Sequence, residues 1–198
     1  MRRLPTELPG LVLIEPTAHR DERGFFQETY RRSAFAELGV DCDFVQQNHS
    51  RSLRGVVRGL HFSLPPGQAK LVRCARGAIW DVVVDIRRGS PTWGRWEAFT
   101  LDDERLLQLF IPVGFAHGFC VVSEVADVIY GCSSYYDGSL ERGFAWDDPD
   151  VAVPWPAEEP VISARDVAAP RLREIADAIP FTWDPEAERS RAASSSAR

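Results

Sequence analysis

The chain has 198 residues, 44% of them hydrophobic and 26% charged, which suits one globular domain with a sizeable core. A formal net charge of −6 argues against general nucleic-acid binding, which needs a basic surface, although a local arginine and lysine cluster could still hold a small anion. No apolar run approaches the roughly 20 residues that cross a bilayer, and the run at 11–14 is too short for a secretory signal, so no membrane is expected and the cytoplasm is the expected setting.

In chain order, residues 11–15 read as a short strand closed by Pro16, 21–24 as a turn, and 25–30 as a second strand. A short helix is expected at 33–38, with Ser33 as N-cap and Gly39 just past its end. A third strand at 44–49 leads into an expected β-hairpin. There an apolar strand ends in His61, Pro65-Pro66-Gly67 turns the chain, and the next strand starts at Lys70. The clearest strand is 77–86. Its even positions, Ala78, Trp80, Val82, Val84 and Ile86, are all apolar, and its odd positions mix Ile79 and Val83 with Asp81 and Asp85. Such a strand is covered on both faces, as in a sandwich or a barrel with a polar lumen.

A turn at 88–94 and strands at 95–101 and 107–112 follow, then a last hairpin of 117–122 and 125–132 across Ser123-Glu124. Strands recurring about every 8–12 residues between Gly and Pro turns indicate an all-β sandwich or barrel. From Tyr135 the chain becomes irregular, with Trp146-Asp-Asp-Pro149 and Pro154-Trp-Pro156 in a segment expected to wrap the barrel. Ser163 can cap a short turn, 171–178 reads as a terminal helix, and the tail from 186, rich in Ala, Ser and Arg, reads as disordered beyond a domain spanning 1–185. Cys42, Cys74, Cys120 and Cys132 form no CxxC pair, and three lie in apolar runs, as buried free thiols do in a reducing compartment. Asn48-His-Ser50 has the form of a glycosylation acceptor, which without a secretory signal reads as coincidence.

Of four histidines, His61 and His117 are embedded in apolar strands, each beside a Gly/Pro turn. A satisfied core histidine and a functional one are about equally compatible with that placement. Pro112-Val-Gly-Phe-Ala-His117 resembles the second half-motif of the cupin jelly-roll barrels. In the first half-motif His61-Phe-Ser63 lacks the second histidine, and Gly67 or Gln68 stands where a glutamate belongs. A metal site needs three or four donors, so metal-free chemistry is expected. A histidine, a lysine and a tyrosine in a polar lumen could remove a proton beside a carbonyl, stabilise the enolate and return a proton from the other side.

Asp21-Glu-Arg-Gly-Phe-Phe26, Phe44-Val-Gln-Gln-Asn-His-Ser50, Val57-Arg-Gly-Leu-His-Phe62, Lys70-Leu-Val-Arg-Cys74, Asp81-Val-Val-Val-Asp-Ile86, Gly89-Ser-Pro-Thr-Trp-Gly94, Ile111-Pro-Val-Gly-Phe-Ala-His-Gly-Phe119, Trp146-Asp-Asp-Pro149 and Ser163-Ala-Arg-Asp166 occur in one order. From about 11 to 170 the chain thereby resembles the dTDP-4-dehydrorhamnose 3,5-epimerases. The resemblance implies a homodimeric jelly-roll enzyme without cofactor, acting on dTDP-4-dehydro-6-deoxy-glucose. It also implies His61 as base, Asp166 as its carboxylate partner, Lys70 as enolate stabiliser and Tyr130 as acid on the opposite face. Asp81 and His117 match polar lumen positions. Arg23, Arg58 and Arg165 match contacts to the diphosphate or its surroundings, Glu28, Gln46 and Asn48 contacts to the nucleotide, and Tyr136 an aromatic near the base. Gly131 and Arg165 stand where lysine is common in the family, which leaves room for epimerisation at a single carbon.

Taken without the resemblance, Arg23 reads as a solvated turn arginine, Tyr130 as a core tyrosine and Asp166 as a helix-start cap. Lys70 and Asp81 resist such readings, because a lysine or carboxylate in a covered strand needs a partner, and His117 is the candidate for Asp81. Arg58 and His61 are three apart, so a regular strand would point them to opposite faces. If both reach one site, Gly59 must carry a bulge.

Overall fold

The strand expected at 77–86 is the axis of the molecule. In the computed structural model, which describes residues 1–186, it runs Ala78–Asp85 and is covered on both faces. Ile79 and Val83 enter the core between two sheets, while Val82 and Val84 pack into a second core on the outer side. The two apolar faces read from the alternation are thus both real. Each fully buried Val, Ile or Phe of this kind contributes about 1.5–3 kcal/mol.

Thirteen strands occur among the described residues: β1 (Arg2–Leu4), β2 (Val12–Glu15), β3 (Ala18–Asp21), β4 (Gly24–Gln27), β5 (Gln46–Leu53), β6 (Val57–Ser63), β7 (Lys70–Arg76), β8 (Ala78–Asp85), β9 (Trp96–Asp102), β10 (Gln108–Ile111), β11 (Phe115–Val121), β12 (Val125–Cys132) and β13 (Glu141–Gly143). A six-stranded sheet, in the order β1-β2-β10-β7-β12-β5, faces a five-stranded sheet, in the order β13-β6-β11-β8-β9. All of these pairings are antiparallel. Val72, Cys74, Leu109 and Ile111 from one sheet meet Ile79, Val83, Phe119 and Val121 from the other in one continuous core. The result is a jelly-roll barrel, with β3 and β4 projecting as a separate two-stranded hairpin.

Two expected hairpins are something else. β6 and β7 lie in different sheets, and so do β11 and β12. The Pro65-Pro66-Gly67 corner and the Ser123-Glu124 turn therefore carry the chain across the barrel instead of folding it back on itself. A Pro/Gly corner between two apolar runs has the same local chemistry in either case, so only the packing of the two sheets distinguishes them.

The bulge expected at Gly59 is present. His117 pairs with His61 and Phe119 with Arg58, so three residue steps on β6 oppose two on β11. Gly59 has φ +131°, and a side chain there would meet the Gly118 Cα at 2.6 Å. The extra residue brings Arg58 and His61 to one side.

The first helix, α1 (Arg32–Glu37), starts one residue earlier than expected: Arg31 is its extended N-cap and Ser33 lies inside it. Its Phe35 is buried against Val12, Ile14, Val40, Leu71 and Phe110 on the outer face of the six-stranded sheet. After β13 the chain wraps the five-stranded sheet, laying Phe144, Val151, Leu172 and Ile179 on Leu60, Phe62, Val84 and Ile86. The wrap contains α2 (Ala164–Val167), at the short turn expected after Ser163, and α3 (Leu172–Ile175) followed by a 3-10 turn, in place of the single terminal helix expected at 171–178. Ser163 caps α2 by accepting the Asp166 N–H at 3.1 Å. The expected disordered tail lies outside the described residues, apart from Glu186. Strands β1, β3 and β13 escaped the sequence reading because each is three or four residues long with little apolar alternation. The cysteines are free, with Cys74, Cys120 and Cys132 buried.

Candidate active site

The candidate side chains come from facing sheets. On the six-stranded sheet β12 pairs with β5 on one side and β7 on the other. The register sets Gln46, Cys132 and Lys70 in one row and Asn48, Tyr130 and Val72 in the next. Directly paired residues share a face, and Val72 is part of the inter-sheet core, so both rows face the lumen. On the five-stranded sheet His61 pairs with His117, and Asp81 stands beside Phe119.

A cavity of about 530 Å³ opens between the sheets. His61, Lys70, His117 and Tyr130 line it together with Arg58, Arg165 and Asp166. His61 Nε2 lies 2.6 Å from Asp166 Oδ1. With a carboxylate so close, Nε2 carries the proton and Nδ1 keeps the lone pair. The ring packs closely against Gly143, where a Cβ would come within 3.1 Å of its Cδ2. His117 Nε2 lies 2.8 Å from Asp81 Oδ2, the partnership expected from sequence. Asp81 Oδ1 is buried without a hydrogen bond, and so is Ser50 Oγ on the wall of the cavity. Arg58 donates from Nε to Ser52 Oγ at 3.1 Å.

The electrostatics follow from this enclosure. Burial lowers the Lys70 ammonium below the ordinary lysine range, although Glu141, Cys132 and Asp81 pull it back up. Burial raises the Tyr130 phenol, and the Asn48 amide, which donates to it, opposes that rise. Burial would also raise Asp166, but the hydrogen bond and charge of His61, with the Gly59 N–H, hold its carboxyl below the usual range. The pair thus keeps its carboxylate ionised and holds the imidazole in one orientation.

Gln46, Asn48 and Tyr136 form a chain beside the cavity: the Tyr136 N–H donates to Gln46 Oε1 at 2.8 Å, and Gln46 Nε2 to Asn48 Oδ1 at 3.0 Å. Arg23 and Glu28 are not brought to this cavity within the chain. Arg23 sits at the tip of the β3–β4 hairpin, its side chain 83% exposed and paired with Asp21, and Glu28 pairs with Arg31. Sequence reasoning missed Ser50, Cys132 and Glu141. Ser50 is in phase with Gln46 and Asn48 on β5, a signal the strand's periodicity carried. Glu141 lies on β13 near His61 and had no such signal. Gly131 faces the outer side, where a Cβ would meet Phe44 ring and side-chain carbons at 3.1 to 3.3 Å, so it does not border the reacting groups.

A resident metal, as in other cupins, does not fit these donors. Both lumen histidines are held by carboxylates, and among the described residues no three His, Cys, Asp or Glu side chains gather.

A cupin-type jelly roll with an imidazole–carboxylate pair on one sheet and a phenol and a lysine on the other, around one open cavity, has the groups of an acid–base isomerase. The family model described as dTDP-4-dehydrorhamnose 3,5-epimerase matches residues 5–174, and the chain belongs to that family. It is 46% identical over 169 residues to a Shigella flexneri protein of that name, covering 84% of this chain and 93% of the relative. It is 45% identical over 180 residues to a dTDP-4-dehydrorhamnose 3-epimerase of Streptomyces niveus, covering 90% and 87%. A Legionella pneumophila dTDP-6-deoxy-D-glucose-3,5-epimerase, solved with dTDP-4-keto-L-rhamnose, superposes with a TM-score of 0.89 at 42% identity, covering 92% of this chain and 98% of that one.

Proposed function

We propose that this protein converts dTDP-4-dehydro-6-deoxy-D-glucose to dTDP-4-dehydro-L-rhamnose, inverting carbons 3 and 5. The placement of His61 and Tyr130 on opposite sheets around one cavity carries the reading. His61 Nδ1 takes the proton from the carbon beside the 4-keto group. The C–H electrons form a carbon–carbon double bond, and the carbonyl oxygen becomes an enolate stabilised by the Lys70 ammonium. Tyr130 then gives its hydroxyl proton to the opposite face of the same carbon. The imidazolium is stabilised by Asp166, and the phenolate by the Asn48 amide. The imidazolium then loses its proton to solvent and the phenolate regains one from solvent, and repetition at the second carbon completes the conversion. Ser50 Oγ, buried and unpaired on the cavity wall, suits a sugar hydroxyl, and Arg58 and Arg165 suit the diphosphate. The chemistry uses no cofactor.

Turnover in deuterium oxide tests this reading. Deuterium at both carbon 3 and carbon 5 with inversion is expected, and a wild-type protein that binds dTDP yet incorporates none would overturn it. The Streptomyces niveus relative supports a second reading, inversion at carbon 3 alone, which would leave carbon 5 undeuterated.

We further infer a cytoplasmic homodimer in which the β3–β4 hairpin is offered to the partner's cavity. Arg23 and Glu28 match substrate contacts yet stand outside their own cavity, and Phe25 and Phe26 on the same hairpin are 51% and 73% exposed. Mixing inactive Arg23→Ala with inactive His61→Ala should restore activity in hybrid dimers. Absence of any recovery in verified hybrids would refute the exchange.

A further inference from the structure

Cys132 is the direct cross-strand neighbour of both Gln46 on β5 and Lys70 on β7, one row from Tyr130. Its side chain is fully buried, and its sulfur takes a hydrogen bond from Asn48 Nδ2 at 3.6 Å. Asn48 is also fixed at its other end, because Oδ1 accepts from Gln46 Nε2, whose own Oε1 is held by the Tyr136 backbone. These contacts determine which way the amide points. The oxygen faces Gln46, and the donor end faces Cys132 beside Tyr130, the direct cross-strand partner of Asn48.

We propose that Cys132 is a positioning residue, whose sulfur locks the Asn48 amide so that its N–H donates to Tyr130 when that phenol gives up its proton. The inference rests on the acid–base reading above and adds a residue that this reading does not use. A hydrogen bond to a phenolate is stronger than one to a phenol, so the lock acts on proton donation and leaves proton removal by His61 alone. The row also runs from Tyr136 through Gln46 and Asn48 to the acid, joining the nucleotide end of the site to the reacting carbon.

Two size-matched variants separate this role from packing. Cys132→Ser keeps an acceptor, and Cys132→Val keeps bulk without one. In Cys132→Val, inversion should fall about tenfold while deuterium exchange at the same carbon stays within about twofold of wild type and dTDP affinity is unchanged. Cys132→Ser should retain most of the inversion rate. Adding Cys132→Val to Tyr130→Phe should give no further loss, because the group acted upon is gone. Parallel loss of exchange and inversion, wild-type inversion in Cys132→Val, or an additive loss in the Tyr130→Phe background would each overturn the proposal. If Cys132→Val does not fold, Cys132→Ala is read by the same criteria. A wild-type enzyme without exchange would remove the acid–base reading, whereas an active wild type with an unaffected Cys132→Val removes the role of Cys132 alone.

Discussion

His61 and Tyr130 belong to different sheets and open onto one cavity, the imidazole from β6 and the phenol from β12. A flat ring lying between them has one face toward each. Removal by one group and return by the other then gives inversion, while removal and return by the same group gives exchange without it. The two residues should separate these outcomes. His61→Ala should lose solvent exchange and inversion together, by about 10²–10⁴-fold. Tyr130→Phe should lose inversion by a similar factor and keep exchange. Proton and deuterium NMR of the recovered sugar nucleotide reads both, and substantial exchange in His61→Ala would show that another base is at work.

Lys70 and Tyr130 should divide the alkaline behaviour. Burial lowers the lysine below its ordinary value of about 10.4 and raises the phenol above its ordinary value of about 10. Since the lysine moves down and the phenol moves up, the ammonium proposed to stabilise the enolate is the group that burial brings toward the working range. The alkaline limb of kcat/KM should therefore lie below the usual lysine range and belong to Lys70. Lys70→Arg, whose guanidinium does not deprotonate, should be slower but should lack that limb. A limb that stays in place in Lys70→Arg would assign it elsewhere.

The barrel and much of this site were legible in the sequence, for reasons that differ from residue to residue. The alternation at 78–86 is a physical record of two covered faces, and the Asp81–His117 pair follows from the cost of burying a lone carboxylate. The three-residue spacing of Arg58 and His61 demanded a bulge and located it at Gly59, the one residue there able to hold φ +131° against the Gly118 backbone. Crossings between sheets were not legible, because the corner at Pro65-Pro66-Gly67 says that the chain turns but not which strand it meets next. Asp166 reaches His61 across 105 positions of chain, and nothing local distinguishes it from a capping carboxylate. Glu141 sits on a three-residue strand whose pairing with Ser63 depends entirely on the finished sheet.

Asp166, the proposed partner of the base, also bears on stability. Its carboxyl is held below the ordinary range in the folded protein, so its contribution is fully present above the unfolded value of about 3.9 and is lost as pH falls through the lower folded value. Asp166→Asn should reduce stability by about 1.5–3 kcal/mol at pH 7, the range for a hydrogen bond to a charged group. The difference between variant and wild type should shrink in acid. Urea melts at pH 7 and at about pH 3 provide the comparison, and a difference that grows in acid would contradict the assignment.

Gly131 tests whether the neighbouring outer face affects regiochemistry. Lysine is common at this position in the family, but here the position borders Phe44 on the outer side of the six-stranded sheet, away from His61 and Lys70. Phe44 in turn packs edge-on against Tyr30 and Phe110, so an added side chain has to displace an aromatic cluster. Gly131→Lys should therefore lower stability by about 1–3 kcal/mol, the usual range for overpacking, and leave the ratio of deuterium at carbons 3 and 5 unchanged. Arg165 differs, because its side chain lines the cavity itself. Arg165→Lys keeps the charge and removes the planar fork, so it should weaken dTDP binding about three- to tenfold, again without altering the ratio. A change in that ratio in Gly131→Lys alone would mean that the outer face sets which carbon is inverted, and that the cavity walls named here are incomplete.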